Sequence, residues 1–178
     1  MLTSYDKNYL RIGLPAALEG VLMIFLSNAD IVMVGMLGTG AIAAVSIFTQ
    51  PRMILLTVAR SVAAAVTILI AERYGQERHD SYGDVLKKTM VLLVAVLGLA
   101  HIAFFVHLDA ILLWMGAQHD YLPDAMVYGI WTLPAVFITA VTTLMQAVMF
   151  GRGESMTVLS INIQGNVANV ILNALLIF

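Results

Sequence analysis

The stretch Ser27-Asn28-Ala29-Asp30-Ile31-Val32-Met33-Val34-Gly35 puts a carboxylate inside an apolar run, 10–34, that is long enough to span a bilayer. An Asp at the centre of such a helix costs about 2.5–3.5 kcal/mol on insertion scales, so intramembrane acids face a water-filled cavity or a partner. Asp30 is therefore read as a cation or proton site. The competing reading is a buried acid satisfied by a neighbouring helix. Either way, the acid demands that this helix turn one face away from lipid.

The rest of the chain agrees with a lipid environment. Its 178 residues are 61% hydrophobic and 11% charged, with a mean hydropathy of +0.92, whereas soluble domains carry about a quarter charged residues. This is the composition of an integral membrane protein. The net charge of -2 and the absence of any basic run argue against nucleic acid as a partner. Without cysteine there is neither a disulfide framework nor a thiolate metal site. The N-terminus lacks the short apolar core and small-residue cleavage site of a signal peptide, so the first apolar run is expected to remain as an anchor.

A spanning helix needs about 20 residues, and the runs expected to span are 10–34, 41–71, 89–106, 125–150 and 156–178. They are too long for barrel strands and do not alternate, and lipid admits only helices or closed barrels. The expected fold is all-α, a bundle of five transmembrane helices forming one domain over 1–178. The second run exceeds the apolar thickness of a bilayer and must tilt, bend near Pro51 or project beyond it. Seven of the nine Lys and Arg residues, namely Lys7, Arg11, Arg73, Arg78, Lys87, Lys88 and Arg152, fall on one side of this arrangement. Loops 35–40 and 107–121 contain none, so the N-terminus is expected in the cytoplasm.

Polar residues three, four or seven apart share a helix face. Glu19 and Asp30 are eleven apart, close to three whole turns. The second helix carries Ser46, Gln50, Thr57, Arg60 and Thr67 on one line, and the fourth carries Tyr128, Thr132, Thr139, Thr142, Thr143 and Gln146. Asn162, Asn166, Asn169 and Asn173 make a stripe on the fifth. Any one hydroxyl or amide reads as glue between helices, worth about 0.6 kcal/mol. Two acids, an Arg and four Asn together read as the lining of a cavity, with Glu19, Gln50, Arg60, Thr139, Gln146, Asn162 and Asn166 as its candidates. The third helix, polar only at His101, belongs on the lipid-facing rim, with His101 a structural hydrogen bonder. Arg52 and Arg60 either pair with Glu19 or Asp30 or snorkel. Pro15, one turn before Glu19, removes a backbone hydrogen bond and kinks its helix, as a hinge or as a static bend.

Several motifs carry a family resemblance. Gly13-Leu14-Pro15-Ala16-Ala17-Leu18-Glu19-Gly20 followed by Asp30-Ile31-Val32-Met33-Val34-Gly35 resembles the first helix of the multidrug and toxic compound extrusion (MATE) family. Ile70-Ala71-Glu72-Arg73-Tyr74-Gly75-Gln76 is similar to that family's ending of the second helix, and Phe150-Gly151-Arg152-Gly153-Glu154-Ser155 to its R-G-x-G connector, with the glycines shifted. Asn166-Val167-Ala168-Asn169-Val170-Ile171-Leu172-Asn173-Ala174-Leu175-Leu176-Ile177-Phe178 resembles its N-x-x-N-x-x-L-[DN]-x-x-L-I-F pattern. The resemblance implies two lobes of six helices each, of which this chain is expected to hold the first five helices of the first lobe and to lack the second. It implies a secondary antiporter of a bacterial inner membrane, exporting small organic, often cationic compounds in exchange for H+ or Na+. No other cofactor is implied. By the same resemblance Asp30, Asn169 and Asn173 form the cation or proton site. Asn173 departs from the carboxylate some members carry there, which favours proton over sodium coupling.

Three other classes compete. A lipid-carrier flippase of the related superfamily would need cationic groove residues, for which Arg52 and Arg60 offer themselves. A truncated chain without transport activity would require the missing lobe or another copy to complete the cavity. An enzyme is not expected, since the chain has no G-x-S-x-G, no H-E-x-x-H and no second acid placed for a protease dyad. The four histidines show no metal-ligand spacing.

Overall fold

The computed structural model describes residues 4–77 and 81–177. The side chains of 4–9, 12, 23, 26, 27, 29, 30, 173, 174, 176 and 177 lie outside that description. The order is α1 (Ser4–Gly35), α2 (Thr39–Gly75), α3 (Tyr82–Val106), α4 (Leu108–Trp114), α5 (Leu122–Gly151) and α6 (Ser155–Ile177), with no strand among the described residues. Three of these, α2, α3 and α5, combine the length and apolarity needed to cross a membrane. The chain is an all-helical integral membrane protein.

Several helix boundaries reach beyond the runs expected from sequence, α1 beginning at Ser4 rather than at 10 among them, and two differ for a common reason. The segment 107–121, expected as a loop, contains the seven-residue helix α4, and α3 begins at Tyr82 rather than at 89. Both additions are too short or too polar to register in a window of a bilayer's width. Helix α2 runs unbroken through Pro51 for 37 residues, about 56 Å at the usual rise, so it outreaches the apolar slab without breaking.

The most extensive contact is α2 against α5, and α3 packs on both. On α2 the buried face is Ala44, Phe48, Pro51, Leu55, Ala59, Ala63, Val66 and Ile70; on α5 it is Gly129, Leu133, Val136, Ala140, Leu144, Ala147 and Gly151. Small residues recur on both because lipid gives helices no hydrophobic reason to associate, and close backbone approach supplies dispersion contact instead. The approach is tightest at two glycines. A Cβ on Gly151 would lie 2.6 Å from the Ile70 Cβ and 2.8 Å from the Thr67 carbonyl, and one on Gly129 would lie 2.9 Å from the Phe48 ring. Thr67 Oγ1 bridges the same seam, 3.2 Å from the Ala147 carbonyl.

Two apolar clusters fill this unit. One surrounds Phe48, Leu112 and Ala125, where the Phe48 and Tyr128 rings meet edge-on at 5.7 Å and α4 supplies Leu108 and Leu112. The other surrounds Ile70, Leu93, Leu97 and Leu144 and includes α3. Helix α1 packs chiefly on α6, and smaller contacts of α1 with α2 and of α5 with α6 close a circuit of four helices.

The α5–α6 connection is tight. Gly153, at φ +77°, ends α5 in a left-handed step. Its N–H donates to the Phe150 carbonyl and that of Glu154 to the Met149 carbonyl, both at 2.9 Å, the paired bonds of a Schellman cap. A salt bridge of 2.7 Å between Arg152 and Glu154 spans the turn.

Candidate functional site

The polar residues that meet inside the helical bundle come from the three helices of one corner of the circuit. Gln146 on α5 donates from Nε2 to Oδ1 of Asn162 on α6 at 2.8 Å. Asn162 in turn donates from Nδ2 to Oε1 of Glu19 on α1 at 2.5 Å. All three side chains are half-buried. Pro15, one turn before Glu19, is buried within α1.

The two bonds run one way. An amide has both a donor and an acceptor end, and Asn162 directs its donors at the carboxylate and its acceptor at Gln146. The terminal bond is charge-assisted when Glu19 is ionised, which makes it the strongest of the set. A groove of about 210 Å³ lies between Leu22 of α1 and Ile163, Asn166, Val167, Val170 and Ile171 of α6.

Asn166 is half-buried on this groove and Asn169 is exposed, and each has a partner of its own. Asp30 and Asn173 belong to α1 and α6, but their side chains lie outside the described ones. Gln50, Arg52, Arg60 and Thr139 are exposed. The hydroxyls of the fourth run turn back on their own helix: Thr139 donates to the Ala135 carbonyl at 2.8 Å, and Thr142 and Thr143 both donate to the Thr139 carbonyl. Thr57 does the same to the Met53 carbonyl at 2.7 Å. Among the described residues the salt bridge is Arg152–Glu154, so neither Arg52 nor Arg60 is paired with Glu19.

His101 lies on the outer flank. Its Nδ1 is 2.8 Å from the Leu97 carbonyl, and its ring stands edge-on to Phe137 at 5.3 Å. It lines an apolar groove of about 490 Å³ between α3 and α5 with Phe105, Leu133, Pro134 and Phe137. Among the described residues no three His, Asp or Glu converge as metal ligands.

The pairing of Glu19 with Asn162 had one signal in the sequence, their positions on polar stripes. Nothing in the residues themselves showed that α1 and α6 are neighbours. The family comparison bears on that arrangement as a whole, since the MatE family model matches residues 15–175, from Pro15 almost to the end of α6. No curated protein and no solved structure matches the chain. The match takes in every helix of the circuit, and the chain belongs to the MatE family.

Proposed function

We propose that the chain is the first-lobe portion of a secondary antiporter that expels organic, often cationic compounds in exchange for H+, with Na+ the alternative coupling ion. The observation that carries this reading is the Gln146–Asn162–Glu19 relay, in which helices α5, α6 and α1 of a MatE-family chain converge on an acid. An acid so placed marks an ion or proton path by default. In this reading α1 and α6 are spans alongside α2, α3 and α5, and the N-terminus is cytoplasmic. Asp30 carries the coupling proton, with Asn169 and Asn173 beside it on α6. The exposed polar line of α2, through Gln50 and Arg60, faces a cavity completed by a second lobe or by another copy of the chain, as alternating access between two lobes requires.

The test is energised efflux of a cationic dye from a host lacking its own exporters, with this lobe in a complete transporter. Asp30→Asn abolishes pH-driven export while membrane abundance stays unchanged. Undiminished export by the variant at normal abundance would assign Asp30 a structural role. Efflux that follows the Na+ gradient and ignores the pH gradient would replace H+ with Na+.

A further inference from the structure

We propose that Glu19 is a second ionisable switch of this lobe, distinct from Asp30, and that the Asn162–Gln146 amide pair reads its charge by docking α6 on α1 only while Glu19 is ionised. The proposal rests on the transport reading only in taking the chain as membrane-spanning; it needs no particular substrate or coupling ion.

The geometry carries it through polarity. Asn162 Nδ2 donates to Glu19 Oε1 and Asn162 Oδ1 accepts from Gln146. A proton arriving at Glu19 bonds to a carboxylate oxygen, and the bond from Asn162 changes from charge-assisted to neutral, roughly half as strong. Protonation thus weakens the bond by which Asn162 of α6 holds Glu19 of α1.

The surroundings isolate this group. Helix α6 has no titratable side chain over Ser155–Ile177. Helix α5 carries only Asp124 and Tyr128, eighteen or more residues from Gln146, about 27 Å along the helix, and the α5–α6 turn holds Arg152 and Glu154, paired with each other, six residues from Gln146 and eight from Asn162. On α1 the nearest charges are Arg11, eight residues before Glu19, and Asp30, eleven after, about 12 and 16 Å away by helical rise. From α2, Arg52 and Arg60 are exposed and unpaired with it, and Glu72, Arg73 and Tyr74 lie at the far end.

Because the chain has no cysteine, spin labels at Val32→Cys on α1 and Leu175→Cys on α6, both exposed, report the seam directly in lipid vesicles. The wild-type background shows a longer interlabel distance at acid pH than at alkaline pH. Glu19→Gln holds the long distance at every pH, Asn162→Leu also abolishes the pH response, and Asp30→Asn retains it. A pH response that survives Glu19→Gln, one that is lost in Asp30→Asn, or no response in the wild-type background overturns the proposal. Loss of export in Asp30→Asn belongs to the transport reading and leaves this outcome unaffected.

Discussion

The α2–α5 unit and the α1–α6 pair solve the same problem, holding helices together in lipid, by opposite means. The first uses shape: glycine and alanine bring two backbones close enough for side chains such as Phe48 and Ile70, both fully buried, to interlock. The second adds polarity, with the Glu19 carboxylate of α1 on the Asn162 amide of α6 and the Gln146 amide of α5 behind it. Close packing has one good arrangement, because a small shift forfeits many contacts at once. A hydrogen-bonded seam has as many arrangements as its groups have protonation states. The comparison sets close packing in α2–α5 against a bond between α1 and α6 that depends on the charge of Glu19.

The largest break is expected inside the close-packed half. Phe48→Ala removes a ring packed on Tyr128 and Gly129 and costs about 3–5 kcal/mol, visible as a lower unfolding midpoint in mild detergent. Next comes Gly151→Val, which must separate α2 from α5 at Ile70 and costs about 1–3 kcal/mol. Gly165→Val on α6 is its control, since a Cβ there meets nothing within 4 Å. Equal destabilisation at the two glycines would erase the distinction between the halves.

A smaller effect on stability belongs to the polar seam. Asn162→Leu leaves Glu19 and Gln146 without each other's bridge and costs about 0.6–2 kcal/mol, while its effect on export exceeds that of either core substitution measured at matched abundance. The smallest change is a gain. Glu77 closes α2 at φ +58°, a conformation that disfavours side chains with a Cβ, so Glu77→Gly stabilises by about 0.5–1 kcal/mol and leaves transport untouched.

Much of this contrast was written in helical periods. The buried line of α2, from Ala44 to Ile70, and the asparagine stripe of α6 both recur at three and four residues, and a period is a local property. What the period leaves open is what a stripe faces. Thr139, Thr142 and Thr143 of α5 bond to the Ala135 and Thr139 carbonyls of their own helix, because a hydroxyl reaches its own preceding turn as readily as a neighbour. Glu19 and Asn162 are 143 residues apart, and only the closing of the circuit makes them partners. Helix α4 escaped notice because seven residues bury a face without spanning anything.

The short turn at Gly153 sets the mechanics of α6. Ser155, Val158 and Leu159, all buried, hold the start of the helix in place. A rod fixed at one end amplifies with distance. Asn162 stands seven residues from Ser155 and Asn173 eighteen, so a pivot there displaces Asn173 about 2.6 times as far as Asn162, rise per residue being constant. Under the switch proposed for Glu19, a loosening there grows by that factor toward Asn173, with the turn as its fulcrum.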